Sequence, residues 1–211
     1  MPGTIDFMNV AATEPRPPIT LIVLAAGGSS RLGNPKQLAR IGGASLIRRA
    51  VQTALDSGLG PVIVVVGAAA DAVSAEIREL AVRVVENRDW AEGMSTSIRT
   101  GVRAAGLESS VLLILVDQPG VTAGHLRALA SALRPPSVTI VGTECGVVGP
   151  PALFDARHRD ALCALAGDRG AKAVIEANAT SMTTVRLDGA RLDIDTPEDL
   201  HRAESELAAG E

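Results

Sequence analysis

The amino-acid sequence predicts an α/β domain built on a doubly wound, mostly parallel sheet. Three observations lead to this prediction. Strand-like and helix-like segments alternate up to residue 142, the strand-like runs are strongly apolar, and 211 residues suffice for one sizeable core. Continuous apolar runs are typical of strands that helices cover on both faces. We expect residues 19–211 to form a single domain after a flexible, proline-containing lead over residues 1–18.

The strands and helices of the first part follow from two periodicities. Short runs rich in β-branched residues predict strands over residues 19–24, 61–67, 82–87, 111–116 and 137–142. Between these strands, apolar residues at helical spacing predict helices over residues 44–58, 71–80, 95–105 and 121–133. Gly58 is a stop signal for the first of these helices, and Thr122 is an N-cap for the last.

The pattern is less regular after residue 143. A strand entering a turn is predicted within residues 144–154, followed by short helices within residues 155–165 and 170–178. Strands are predicted over residues 182–187 and 191–195. A final helix begins near residue 196, where Thr196 is the expected cap and Pro197 the first helical residue.

Composition and charge exclude several classes of protein. The net charge of −4 argues against a general nucleic-acid binder, which needs a basic face. With 1% aromatic residues, we do not expect aromatic stacking to hold a nucleobase. No run approaches the ~18 apolar residues of a membrane span, and the first residues do not resemble a signal peptide. Cys145 and Cys163 form neither a metal motif nor a disulfide framework, which predicts a cytoplasmic protein.

Ligands of doubly wound sheets bind beyond the carboxyl ends of the strands. The segments to search are therefore residues 25–36, 67–70, 87–95 and 117–120. The first is the richest in small and basic residues. It has the GxxxxG spacing of a phosphate loop from Gly28 to Gly33. Position 34 is Asn where a Walker motif needs Lys, and position 30 is Ser where a dinucleotide fingerprint needs Gly.

This loop nevertheless suits a phosphate ligand. Glycines let backbone N–H groups converge on an anion, because no Cβ stands in the way. Arg31 offers a planar fork for phosphate oxygens, and Lys36 offers a point charge.

Acidic residues follow two other predicted strands. Asp117 ends a buried strand, where a carboxylate is well placed for Mg²⁺, which prefers one or two carboxylates plus substrate phosphates. Asp193 and Asp195 are two residues apart and would share one face of a strand. Either or both are candidates for a second metal ligand, and the spacing does not choose between them. The three histidines form no ligand pair.

Five segments together resemble one family. "LAAGGSSRLGNPK", "NRDWAEGMSTSIRTGV", "LLILVDQPGVT", "LAGDRGAKAVI" and "LDIDTPEDL" follow the order of the motifs of the MobA-like NTP transferases, the nucleotidyltransferases related to molybdenum-cofactor enzymes. The resemblance spans most of residues 19–207. It implies a Rossmann-like, three-layer nucleotidyltransferase fold, also described as nucleotide-diphospho-sugar transferase-like.

The resemblance also implies a reaction. An NTP and a phosphorylated acceptor would give a nucleotidyl-acceptor and pyrophosphate with Mg²⁺ as cofactor. Arg31, Lys36 and Asp117 would be catalytic, and the metal would be held by Asp117 with Asp193 or Asp195. The residues expected to bind the nucleotide are Leu24, Ala25, Ala26, Gly27, Gly28, Ser29, Arg31, Lys36, Gly67, Gly93, Ser95 and Ser97.

Ala26 favours CTP over GTP, because family members that use GTP more often have Gly there. The resemblance favours the molybdenum-cofactor cytidylyltransferase branch, with a molybdopterin-type acceptor and a molybdoenzyme that receives the product. One departure concerns the acceptor. That branch commonly has Gly-His-Pro where this chain has Gly149-Pro150-Pro151.

Alternatives remain open at this point. The same chemistry with GTP or with another small phosphorylated acceptor is one. A non-catalytic chaperone that binds molybdenum cofactor is another. A Rossmann-type oxidoreductase is disfavoured by the missing GxGxxG motif.

Overall fold

The computed structural model describes residues 17–28, 35–144 and 148–208. The strands in chain order are β1 (Ile19–Ala25), β2 (Arg40–Ile41), β3 (Ala44–Ser45), β4 (Val62–Val66), β5 (Arg83–Glu86), β6 (Ser110–Leu115), β7 (Ile140–Glu144), β8 (Val148–Phe154) and β9 (Met182–Arg186). The helices are α1 (Leu46–Asp56), α2 (Ala70–Glu76), α3 (Met94–Ala104), α4 (Ala123–Ala132), α5 (Arg159–Cys163), α6 (Lys172–Ala177) and α7 (Pro197–Ala208).

The main sheet has seven strands in the order β5-β4-β1-β6-β8-β7-β9. Strands β5, β4, β1 and β6 pair in parallel, and so do β7 and β9. Strand β8 is antiparallel to both of its neighbours. The prediction of a doubly wound, mostly parallel α/β sheet is confirmed. The carboxyl ends of β1, β4, β5 and β6 therefore meet at one edge of the sheet.

Helices cover both faces of the sheet. Alternate residues of β1 point to opposite sides, so that Leu21 and Val23 join one apolar core, whereas Ile22 and Leu24 join the other. The first core contains the buried faces of α1 and α4, and the second contains those of α3, α5 and α6. These two cores produce the three-layer arrangement expected of the fold.

Most of the predicted helix signals act as expected. Thr122 caps α4, accepting a hydrogen bond from the backbone N–H of His125, whose side chain accepts one from Thr122 N–H in return. Thr196 precedes α7, and its hydroxyl accepts a hydrogen bond from Asp199 N–H. The hydroxyl and N–H groups of Thr196 also donate to the Asp199 carboxylate. These hydrogen bonds lower the pKa of Asp199. Among the described residues, none of the helices is long and apolar enough to cross a membrane.

The predicted strand over residues 191–195 is wrong. A 3₁₀ turn ends at Arg191, and irregular chain follows. The N–H of Ile194 donates a 3.0 Å hydrogen bond to the carbonyl of Asp117, so this segment is tied to the loop after β6 and not to a strand partner. Asp193 and Asp195 therefore do not share one face of a strand, as predicted, because they lie in irregular chain.

The predicted helix over residues 155–165 divides into a 3₁₀ turn at Ala156–His158 and the short helix α5. His158 is buried, and its Nε2 lies 2.8 Å from the Thr139 hydroxyl. Desolvation by burial is the main cause that lowers the pKa of His158, which favours a neutral, structural imidazole.

Gly101 provides a stability test of the layer contact. A Cβ on Gly101 of α3 would lie 2.5 Å from Ile22 Cγ2 on β1 and 3.1 Å from Val65 Cγ2 on β4. We expect Gly101→Ala to lower the free energy of unfolding by about 1–3 kcal/mol, because a packed core resists an added methyl group.

Gly124→Ala is the matched control in chemical denaturation. Gly124 is also helical, but its added Cβ would meet only Thr122 Oγ1 at 3.6 Å. This variant should keep or raise stability, by about 0.5–1 kcal/mol, because alanine favours the helix. Equal destabilisation of both variants would contradict the close contact of α3 with β1.

Candidate active site

An open cleft lies at the carboxyl edge of the sheet, on the side of α3. Its volume is about 370 Å³. The chain after β1, the end of β6, the Trp90–Ser97 region and the segment before α6 form its walls. The lining residues are Leu24, Ala26, Gly27, Gly28, Lys36, Gln37, Trp90, Ala91, Gly93, Met94, Ser97, Leu115, Val116, Asp117 and Asp168. Three of the four segments named from the sequence contribute to the lining.

The glycine wall of the cleft is held from behind by Gln37. Its amide Nε2 donates to the carbonyls of Ala25 at 2.9 Å and Gly27 at 2.8 Å. Gln37 is only 2% exposed. Because a buried amide loses much when its partners are removed, these bonds fix the backbone where β1 ends.

Two glycines make room for Trp90 beside this wall. A Cβ on Gly28 would lie 2.9 Å from the Trp90 ring, and one on Gly67 would lie 2.8 Å from Trp90 Cβ and 2.7 Å from the Ala26 carbonyl oxygen. A side chain at Gly67 would meet the backbone itself, whereas one at Gly28 would displace the Trp90 ring. Gly67 thus packs behind Trp90, and is not itself among the residues that line the cleft.

Lys36 links three distant parts of the chain. Its Nζ lies 2.9 Å from Asp117 Oδ2 and 2.8 Å from Asp195 Oδ1. The Lys36 side chain is 18% exposed. Desolvation lowers its pKa, but the charges and hydrogen bonds of Asp117 and Asp195 outweigh this effect, and the net pKa is raised above 10.5. Lys36 is therefore a cation throughout the physiological range.

The carboxylate of Asp117 retains one open acceptor. Asp117 Oδ1 is buried and has no hydrogen-bond partner, while Oδ2 binds Lys36. Burial raises the pKa of Asp193, and the nearby charge of Asp117 raises it further. An ion pair thus joins Asp195 to Lys36, whereas burial is the main influence on Asp193 and repulsion by Asp117 adds to it.

The carboxylates fit a divalent cation that takes further ligands from a substrate. Within the described residues, no group of three or more His, Cys, Asp or Glu side chains could hold a metal ion alone. The free Oδ1 of Asp117 and the nearby Asp195 carboxylate bring two carboxylate groups to such an ion. Two carboxylates with phosphate oxygens are a donor set typical of Mg²⁺.

A hydrogen-bonded corner forms the opposite wall. Asn87 is 2% exposed, and its Nδ2 donates to the hydroxyls of Thr96 at 2.8 Å and Ser97 at 3.0 Å. The hydroxyl of Thr96 in turn donates to the carbonyls of Asp89 and Gly93. These bonds fix the start of α3 where it borders the cleft.

Gly93 brings this corner close to the segment that carries Asp168. Its φ is +114°, and a Cβ there would lie 2.5 Å from the Gly167 carbonyl oxygen and 2.7 Å from Asp168 Oδ1. The N–H of Ser95 donates to that Gly167 carbonyl at 3.2 Å. Ser95 is completely buried. Of the three residues predicted here to bind the nucleotide, Gly93 and Ser97 line the cleft and Ser95 does not.

The structure brings most of the predicted site residues together. Leu24, Ala26, Gly27, Gly28, Lys36, Gly93, Ser97 and Asp117 line the cleft, Ala25 lies behind it, and Asp195 joins through Lys36. Ser29 and Arg31 lie outside the described residues. Their predicted contacts with a nucleotide stay predictions.

Sequence reasoning did not name seven residues that line the cleft: Gln37, Trp90, Ala91, Met94, Leu115, Val116 and Asp168. Trp90 and Asp168 stand inside segments that resemble family motifs, and this was the available signal. The low aromatic content concealed Trp90, because one ring among 211 residues does not affect composition but can still lie at the site. Gln37 carried no signal in the sequence.

Comparison with known proteins identifies the class and then the family. The fold is shared with a solved nucleotidyl transferase. Residues 21–183 match the MobA-like NTP transferase domain, and the chain belongs to that family.

Two relatives cover nearly the whole chain. Nicotine blue oxidoreductase of Paenarthrobacter nicotinovorans is 32% identical over 196 residues, which are 88% of this chain and 96% of the relative. The purine catabolism protein PucB of Bacillus subtilis is 31% identical over 193 residues, covering 84% and 92% of the two chains.

Solved structures agree with the fold. A nucleotidyl transferase from Methanothermobacter superposes with a TM-score of 0.81 at 26% identity, over 92% of this chain and 99% of the other. Rv0371C of Mycobacterium tuberculosis, solved as a complex with manganese, has a TM-score of 0.75 at 28% identity, covering 89% and 98%.

Removing the Lys36 charge should destabilise the folded chain. Lys36→Met leaves Asp117 and Asp195 facing each other without a cation, and we expect a loss of about 1–3 kcal/mol at pH 8. Because the Lys36 pKa is raised on folding, its stabilisation is complete below pH 10.5 and declines as pH rises through the folded value. Denaturation of the unsubstituted chain and of Lys36→Met, at pH 8 and above pH 10.5, tests whether their difference in stability declines at the higher pH.

Lys172→Met is the control. Lys172 pairs with Glu176 at 3.7 Å on an exposed helix surface, and such pairs contribute little. Its loss should change stability by less than about 0.5 kcal/mol. If Lys36→Met changed the free energy of unfolding as little as Lys172→Met, the ion pairs of Lys36 would not contribute to stability.

Proposed function

We propose that the chain is a divalent-metal-dependent nucleotidyltransferase that joins an NTP, preferably CTP, to a phosphorylated acceptor of the molybdopterin type and releases pyrophosphate. The observation that carries this proposal is the position of Lys36. Its ammonium lies between two carboxylates at the border of a cleft whose other side is an open glycine backbone. Cation, carboxylates and glycine backbone are the groups that a triphosphate with its metal requires.

The reaction needs positioning and charge neutralisation more than covalent chemistry. An oxygen of the acceptor phosphate attacks the α-phosphorus of the NTP in line, and the bond from this phosphorus to the bridging oxygen of pyrophosphate breaks. The electron pair leaves with pyrophosphate. Fixed charges aimed at these oxygens lower the barrier because they need no reorganisation during the reaction.

Each residue of the site has a role in this scheme. The backbone of Ala26–Gly28 and the side chain of Arg31 bind the triphosphate. Lys36 neutralises negative charge at the α-phosphate. Asp117 and Asp195 hold the divalent cation, which neutralises phosphate charge when bound. The solved manganese complex of Rv0371C supports a divalent cation in a related protein, and Mg²⁺ is the ion we propose here.

The base would lie on the α3 side of the cleft. Gly93 and Ser97 line this side together with Trp90 and Met94. Trp90 is 37% exposed and offers part of its ring to a ligand. The preference for CTP rests on Ala26 in the loop.

The acceptor would approach from β8. Gln118 Nε2 donates to the Pro150 carbonyl at 3.2 Å, so that the Gly149–Pro151 segment lies beside the residue that follows Asp117. This is the segment in which the cytidylyltransferase branch commonly has histidine. Its contact with the Asp117 loop supports an acceptor role in spite of Pro150. A molybdoenzyme that receives the product and a cytoplasmic location belong to the same proposal.

Pyrophosphate release tests the proposed reaction. The purified chain is supplied with Mg²⁺, a molybdopterin-type acceptor, and CTP, GTP or ATP in turn. We expect release with CTP far above release with the other two. Release with GTP would retain the mechanism and contradict the role of Ala26. Binding of a nucleotide without release, with any acceptor, would instead favour the non-catalytic chaperone.

The metal ligands can be distinguished by neutral substitutions. Asp117→Asn and Asp195→Asn should each lower turnover about 100-fold or more and weaken Mn²⁺ binding followed by electron paramagnetic resonance. Asp193→Asn should have a smaller effect on both, because Asp193 has no direct contact with Lys36. Asp71→Asn, on α2, is the charge-matched control. A fully active Asp117→Asn variant that binds Mn²⁺ normally would remove Asp117 from the metal site.

A redox function is the second candidate, since one relative is named an oxidoreductase. The chain lacks the GxGxxG fingerprint of a dinucleotide site, so a nicotinamide cofactor would need another binding mode. Tight NADPH or NADH binding, followed through Trp90 fluorescence, would favour this candidate. Unchanged fluorescence with these cofactors, together with a response to CTP, would exclude it.

A further inference from the structure

A second cavity lies on the opposite side of the sheet from the α3 cleft. It has a volume of about 420 Å³ and lies between α1 and α4. Arg48, Arg49 and Asp56 of α1 line it together with Pro119–Val121 and Leu207 of α7. Its volume is similar to that of the active-site cleft, and nothing in the proposed reaction uses it.

The two arginines of this cavity differ in their partners. Arg48 donates to the Glu76 carbonyl at 3.1 Å and forms an ion pair with the Glu79 carboxylate. Arg49 is partly buried, its Nε is fully buried, and it makes no hydrogen bond or ion pair with any described residue. A buried N–H donor without an acceptor is unfavourable, and an anion in the cavity would supply that acceptor.

The carboxylate of Asp56 limits where a ligand can place its negative charge. Asp56 also lines it, and its carboxylate accepts a 2.8 Å hydrogen bond from Gln52 Nε2. Asp56 is seven residues from Arg49 on the same helix, which corresponds to about 10 Å along the axis. An anionic group would therefore lie at the Arg49 end, and an uncharged or hydrogen-bond-donating part would face Asp56.

The cavity also adjoins the segment that carries Asp117. Pro119 and Val121 line the cavity and a smaller gap behind the end of β6. Arg49 and Gln118 line this gap, and the buried Gln118 Oε1 has no hydrogen-bond partner there. Gln118 follows Asp117 directly in the chain. A ligand at Arg49 therefore contacts the segment that positions the active-site carboxylate.

We propose that the cavity between α1 and α4 is a second ligand site, which binds a small organic anion through the guanidinium of Arg49. The anionic group is a phosphate or a carboxylate, because both match the planar donors of arginine. The proposal concerns binding and does not depend on the proposed transferase reaction.

Side-chain NMR of the full chain tests the site without nucleotide or acceptor. The Nε–H resonance of Arg49 is assigned by its absence in Arg49→Gln, and inorganic phosphate and acetate are titrated separately. We expect a saturable shift of this resonance with at least one of them, and the tighter anion identifies the preferred group. Lys36→Met should retain the shift, because Lys36 belongs to the other site. No saturable shift with either anion would overturn the proposal.

Calorimetric titration with the tighter anion gives an independent measure. In the Lys36→Met background, Arg49→Gln should weaken anion binding at least tenfold. Arg103→Gln, which changes an exposed residue of α3, should leave the affinity unchanged. Arg49→Lys retains the charge but loses the fork and should also weaken binding, which keeps the test usable if the neutral variant does not fold. Equal affinity in all these variants would show that the anion binds elsewhere.

Discussion

The ammonium of Lys36 holds together three segments that are far apart in the sequence. It lies in the short 3₁₀ turn after the glycine loop, Asp117 follows β6, and Asp195 precedes α7. Each ion pair closes a long loop of chain, of 81 and 159 residues. The packing of the sheet offsets the conformational entropy that is lost when these loops close. The ion pairs then determine how the edge of the fold is arranged.

The neighbouring contacts depend on this arrangement. Gln37 follows Lys36 directly and uses its buried amide to hold the carbonyls at the end of β1. The N–H of Ile194 binds the Asp117 carbonyl and brings Asp195 within reach of the ammonium. The same contact explains why this part of the chain does not form a strand. A charge cluster and a few backbone hydrogen bonds therefore set the geometry of the cleft.

The sheet and most helices could be predicted because their signals are local. Apolar runs, helical spacing and caps such as Thr122 and Thr196 require no knowledge of distant residues. The site residues on the strand ends followed from the same pattern, since parallel strands bring their carboxyl ends together. Lys36 and Asp117 could thus be assigned to one site before their contact was known.

The remaining features depend on tertiary contacts that one sequence does not reveal. The strand-like alternation of residues 191–195 is overridden by the bond to Asp117, so the contact of Asp195 with Lys36 could be found only from the fold. Gln37 and the unpaired guanidinium of Arg49 look ordinary in the sequence. Their meaning comes from burial and from what lies around them.

A crystal structure with Mn²⁺ and a non-hydrolysable CTP analogue is the most direct test of the central claim. We expect the anomalous signal to place a manganese ion against Asp117, Asp195 and phosphate oxygens of the analogue. The triphosphate should lie along Ala26–Gly28, with Lys36 at the α-phosphate. A triphosphate bound elsewhere, or a metal with no contact to Asp117, would contradict the assignment of this cleft as the active site.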